Sequence, residues 1–164
     1  MARAEILYIT AAIVILGTLT LTFKDILLDS DNNEAEAEYQ IMAINLLDKF
    51  IDQVALKSFD EAAVNGIPNG IPGSFTSPFK LGPEAGEIYP NFDDVDDYHN
   101  LSFTDTTSSG MDYTIKVNLG YVTIDDIENF LSTQSNMKRM NVSIISTLIL
   151  NEVHMSRIFS YIRN

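Results

Sequence analysis

The side chains best placed for ionic or metal chemistry are carboxylates, and the first is Glu5, at the head of an uncharged apolar run from Ile6 to Phe23. A charged side chain at membrane depth costs roughly 3 kcal/mol on insertion scales, so it is usually paired and marks a functional site. Its nearest candidate partner is the α-amino group of Met1, in the same chain or in a neighbouring copy, and Arg3 is a second. The competing reading leaves Glu5 in the membrane interface with no role.

A second set lies in the segment Asn91 to Asn100, where Asp93, Asp94, Asp96 and Asp97 are bracketed by Phe92 and Tyr98, with Glu87 just upstream. Such oxygens suit Ca²⁺, a hard cation that takes about six to eight of them. The spacing lacks the glycine that an EF-hand loop needs at its sixth place, so the alternative is an acidic loop that is solvated or caps its own backbone. His99 and His154 are the only histidines and share no metal spacing. No local motif brings a nucleophile and a base together, so neither an enzyme nor a cofactor is implied. Asn100-Leu101-Ser102 and Asn141-Val142-Ser143 fit the glycosylation acceptor pattern, which arises often by chance.

These groups sit in a chain of 164 residues, enough for one domain and a membrane segment. As a helix, Ile6 to Phe23 spans about 27 Å, just enough to cross hydrocarbon. Lys24, Asp25, Ile26 and Leu27 follow it in place of a small-residue cleavage pattern, which favours a retained anchor over a removed signal. Arg3 precedes the run, while Asp25, Asp29, Asp31, Glu34, Glu36 and Glu38 follow it, so the positive-inside tendency places the amino terminus in the cytoplasm and the rest outside. Two parts are expected: an anchor, 1–24, and an exported domain, 25–164. The net charge of −13 argues against nucleic acid as a partner. With no cysteine, the exported part has no disulfide framework and must be held by its core.

Beyond the anchor, Ile41, Ile44, Leu47, Phe50, Ile51 and Val54 recur at steps of three and four, predicting one apolar face of a helix that continues to about residue 60. Its soft places are Gly17 to Phe23, rich in β-branched residues, and Ser30 to Asn33, whose side chains favour caps and turns. In a protein assembly, where neighbours can satisfy its backbone groups, the first of these is free to extend. All five prolines fall between Gly66 and Pro90, predicting an irregular connection over 66–110. From Met111 the period becomes two: Tyr113, Ile115, Val117, Leu119 and Tyr121 predict a half-buried strand. Thr123 and Asp126 suggest a capping box, with a short helix or loop over Ile124 to Leu131. Met140 to Leu150 reads as a second strand and Val153 to Ile162 as a third, with Asn151-Glu152 as the turn. The fold class is α+β: a long amino-terminal helix packed on a small antiparallel sheet of three or four strands.

An apolar amino-terminal helix with glutamate at its fifth residue, continuing into an amphipathic half and a small sheet, resembles the type IV pilin family. Asp94-Val95-Asp96-Asp97-Tyr98 is similar to a segment of minor pilins of the mannose-sensitive haemagglutinin type, and Lys138-Arg139-Met140-Asn141-Val142 follows in the family's order. Processed members usually begin with phenylalanine and often carry a proline late in the run; Met1 and Thr22 hold those places here. The resemblance implies a structural subunit of an extracellular filament, launched from the inner membrane by the pilus assembly machinery and built of identical subunits. Glu5 and Met1 would set subunit register, and Ile6, Leu7, Ile9, Ile13, Val14, Leu16 and Gly17 would line the filament core. The alternatives are a minor pilin or secretion-system pseudopilin, and, from another class, a monomeric membrane-tethered binding domain whose acidic loop is the contact surface.

Overall fold

Nothing from Ala2 to Val54 is a proline and the only glycine is Gly17, and in the computed structural model this stretch is one α-helix, α1 (Ala2–Val54). It runs unbroken through both soft places, Gly17 to Phe23 and Ser30 to Asn33. The structure describes residues 2–66, 72–107 and 110–161. They fall into two compact units, Met1–Tyr39 and Gln40–Asn164, and the expected anchor, 1–24, lies inside the first.

The helix ends earlier than its period suggests, at Val54 rather than near residue 60. The N–H groups of Leu56 and Lys57 turn back to the carbonyls of Gln53 and Val54, a tighter step than the helical one. Ser58 then pairs with the 93–95 segment, donating to the Asp93 carbonyl and accepting from the Val95 N–H. That pairing takes the backbone groups a further helical turn would need.

In the second unit, β1 (Ser102–Thr106), β2 (Asp112–Tyr121), β3 (Met137–Ile145) and β4 (Val153–Ser160) form one antiparallel sheet in the order β1-β2-β3-β4. The architecture is therefore α+β, as expected. The two-residue period of β2 is read directly into space: Tyr113, Ile115, Val117, Leu119 and Tyr121 are all buried on one face. Register places Val117 opposite Val142 and Leu119 opposite Met140, so β3 adds Met140, Val142 and Ile144 to the same layer. From the helix, Ala43, Leu47, Phe50, Ile51 and Val54 are buried, and the Phe50 ring meets Tyr98 and Phe103 at centroid distances of 5.7 and 5.6 Å. Ile41 and Ile44, expected on that face, are 59% and 43% exposed, and Ala43 takes the inward place.

Other boundaries move for local reasons. The stretch expected to be irregular, 66–110, contains β1 as well as 3₁₀ turns at Pro72–Ser74, Pro78–Lys80 and Asp96–Tyr98. β3 starts before Met140 and stops at Ile145, well short of Leu150, because Ser146 turns the chain: its hydroxyl donates to the Asp112 carbonyl and accepts from the Leu148 N–H. The connection to β4 thus occupies 146–152 rather than Asn151-Glu152 alone. β4 ends at Ser160, and Ile162 lies outside the described residues. Ile124 to Leu131 is a loop, in which the Asp126 carboxylate accepts from the N–H groups of Glu128 and Asn129.

One polar cluster is sealed within this unit. Lys138, on the inward face of β3, is fully buried, and its ammonium donates to Asp60 Oδ2 (2.7 Å), Asp96 Oδ1 (2.7 Å) and the Phe59 carbonyl (2.8 Å). Asp60 also accepts from the Ala62 N–H, capping the short helix α2 (Glu61–Val64), from the Thr76 N–H and from the Tyr121 hydroxyl. All three ammonium protons are used, the condition under which a buried cation is tolerated. The cluster fixes the acidic 93–97 segment against the sheet.

Candidate functional site

The sequence-derived assembly residues belong to the first unit. Ala4–Leu28 is a stretch of 25 residues with mean hydropathy 2.2, none of it buried, long and apolar enough to cross a membrane. Ile6, Leu7, Ile9, Ile13, Val14 and Leu16 are each 60% or more exposed, with no covering partner inside the described chain. Apart from the helix's own adjoining backbone, no atom of the described residues lies within 4 Å of the place a Cβ on Gly17 would take, so nothing among them requires glycine there.

The run also hides its own polar groups. Thr10 donates to the carbonyls of Ile6 and Leu7, Thr18 to Ile15, Thr20 to Leu16 and Gly17, and Thr22 to Thr18. Each hydroxyl is thereby satisfied by the turn before it, which suits a helix whose surroundings offer no water. Glu5 lies in the first turn of α1 and is exposed. There the helix macrodipole favours a negative charge by about 0.3–1 kcal/mol. Met1 lies outside the described residues, as does the side chain of Arg3.

The acidic segment is built differently from the solvated loop that its composition suggests. Asp94, Asp96 and Asp97 are at most 1% exposed, and only Asp93 of the four faces solvent. The capping alternative holds in detail. Asp94 Oδ1 accepts from the N–H groups of Asp96 and Asp97, while Asp97 Oδ2 accepts in return from those of Asp93 and Asp94. Burial opposes ionisation of Asp94, reinforced by the neighbouring Asp96 charge, and pushes its pKa up to about 9. For Asp97 burial is again the main cause, raising the value to about 6.

The four aspartates do not converge on one point. Asp96 is taken by Lys138; Asp93 and Asp94 approach Glu61; Asp97 approaches Glu84 and Glu87. Glu84 and Glu87, in turn, face each other across a tight turn. The Glu84 N–H donates to Glu87 Oε2, the Glu87 N–H donates to the Glu84 carbonyl, and Gly86 takes the positive φ of 105° that the turn requires. Glu84 is raised to about 8, chiefly by desolvation. Glu87 is held below the usual range: burial, the largest single influence, opposes its charge, but the Glu84 N–H and hydrogen bonds from the Glu84 and Asp97 carboxyl groups together outweigh it. The sequence signal for Glu84 was absent, since it stands apart from the aspartate run.

The two histidines stay separate in role. His99 Nδ1 accepts from the Leu119 N–H, while His154 is exposed and lies 3.9 Å from a Glu152 oxygen. Asn141 sits in β3 with its Oδ1 engaged by Arg139, whereas Asn100 is exposed at a positive φ of 60°. No protein-family model, no curated protein and no solved structure matches the chain.

Proposed function

We propose that this chain is a structural subunit of a type IV pilus-like filament, in which the amino-terminal helices of identical subunits leave the membrane and pack together as the core. The observation that carries the reading is the apolar stretch Ala4–Leu28, exposed on every side and headed by Glu5. A helix apolar all round belongs in lipid or among other helices. Leaving its large aliphatic side chains in water costs on the order of 2 kcal/mol each. A tether needs only that length and greasiness. A carboxylate at the leading end adds nothing to tethering, but it can neutralise the terminal ammonium of a neighbouring copy and so set the axial register of stacked helices.

Before assembly such a subunit resides in the inner membrane, handled by pilus assembly machinery, and afterwards on the cell exterior. The Glu5→Ala variant tests the assignment. It is expected to reach the membrane at the normal level while sheared surface fractions lose the filament. Normal filaments from the variant overturn the role of Glu5, and wild-type protein that stays monomeric in membranes makes it a tethered domain.

A further inference from the structure

A cluster of three carboxyl groups lies where the Glu84–Glu87 turn meets the end of the acidic segment. Glu84, Glu87 and Asp97 each place a carboxylate oxygen within 4.8 Å of the others. Two oxygens there are buried and accept from no donor, Glu84 Oε2 and Asp97 Oδ1. Asp97 is only 1% exposed, and its other oxygen already takes two backbone N–H groups, so the orphan is the atom left for the cluster. Carboxylate oxygens this close and this buried need a proton or a cation between them. Lys138, the buried lysine of this unit, has all its protons committed to Asp60, Asp96 and Phe59.

We propose that Glu84, Glu87 and Asp97 form a Ca²⁺ site that pins the 84–87 turn to the 93–98 segment. The donor set is all oxygen, which selects a hard cation over zinc or copper. Two ligands on opposite sides of Ca²⁺ stand about 4.8 Å apart, at about 2.4 Å each, and the three oxygens lie within that span of one another. Mg²⁺ demands shorter bonds and near-octahedral placing, which three carboxylates from two separate loops are poorly arranged to give. Water fills the remaining coordination places. The ion would lock the loop that carries Tyr89 and Phe92, whose rings stack on Phe103 (4.5 Å) and Tyr98 (5.0 Å) and close one end of the sheet unit. The inference stands without the filament reading.

The test uses the full chain in detergent micelles, stripped with chelator and titrated with CaCl₂ and, separately, MgCl₂, by calorimetry and thermal melting. One Ca²⁺ per chain is expected, with a melting temperature raised by about 3–5 °C at saturation and a weaker response to Mg²⁺. Glu84→Gln/Glu87→Gln should weaken binding at least about tenfold and abolish the thermal shift, whereas Glu61→Gln, in the other acidic cluster, should leave both intact. Glutamine keeps the oxygen that caps the Glu84 N–H; should the double variant still fail to fold, Glu84→Gln alone carries the test, since its Oε2 accepts no bond. Absence of any Ca²⁺ response in the wild type overturns the site and leaves a shared proton as the only relief. Unchanged affinity in the Glu84 variants, or loss in Glu61→Gln alone, overturns it equally.

Discussion

Lys138 Nζ lies 2.7 Å from Asp60 Oδ2 with both side chains wholly sealed from solvent, and Asp96 completes the cluster at the same distance. One cation thus stands between two anions, supported by the rings of Phe59 and Tyr121 at 4.5 and 5.1 Å. Removing one partner of a buried ion pair leaves the other uncompensated, a loss of about 3–5 kcal/mol. Lys138→Met should therefore lower unfolding free energy by that amount in denaturant melts. Adding Asp60→Asn and Asp96→Asn should recover most of it, since the anions that needed the ammonium are gone. Tyr121→Phe, which removes a hydroxyl whose proton is shared between Asp60 (3.0 Å) and the Thr76 carbonyl (2.7 Å), should cost about 1–2 kcal/mol.

Gly120 is the place where the sheet admits no side chain. A Cβ there would stand 2.6 Å from Phe130 Cγ, inside the ring that the 123–131 loop lays over β2. Arg139 holds the same loop from the neighbouring strand, through the Ile127 carbonyl and Glu128. Gly120→Ala should destabilise by about 1–3 kcal/mol. Phe130→Ala on that background should return part of the loss, a positive coupling measurable in a double-mutant cycle. Strictly additive effects would show that the loop does not press on this glycine.

Asp94 gives the pH dependence its sign. Its folded pKa, about 9, stands above the unfolded value near 4, so below about pH 4 both states carry the proton. Between those limits the unfolded chain releases a proton that the folded chain keeps, and stability falls as pH rises, by up to about 1.4 kcal/mol per unit for this group. In chelator, unfolding free energy is expected to decline from pH 5 to pH 8. Asp94→Asn keeps an oxygen for the Asp96 and Asp97 N–H groups and cannot ionise, so its profile should be flatter and its stability at pH 8 higher than wild type. A wild-type profile that rises over this range would refute the assignment.

The elements with a clean period were legible in the residues: α1 from its apolar rows, β2 from its alternation and β4 from Val153 onward. β1 was hidden because Ser102–Thr106 is an edge strand in which only Phe103 is half-buried and the rest is exposed, so no alternation marks it. The acidic segment was legible in part. The residues left Asp93 to Asp97 as solvated or capping their own backbone, and the second holds; what they did not show is the burial, in which Asp96 pairs with Lys138, a residue distant in sequence. A signal did exist, since Lys138 shares the inward parity of Met140, Val142 and Ile144, and a lysine on an apolar strand face calls for a buried anion. Glu84 had no such marker, because its proximity to Asp97 arises only from the path of the connecting loop.

The two units divide the work of α1, and substitutions should divide with them. Leu47 is fully buried in the sheet unit, so Leu47→Ala removes packed methyl groups and should cost about 2–5 kcal/mol of unfolding free energy. Ile13, in the first unit, is 64% exposed. Ile13→Asp should leave the near-ultraviolet circular dichroism and denaturant midpoint of the sheet unit unchanged in detergent. Its effect should appear in the membrane, where a charge at that depth costs roughly 3 kcal/mol and lowers retention after alkaline extraction. Equal loss of stability in the two variants would mean that the leading helix is part of the folded core rather than a surface awaiting lipid or neighbouring helices.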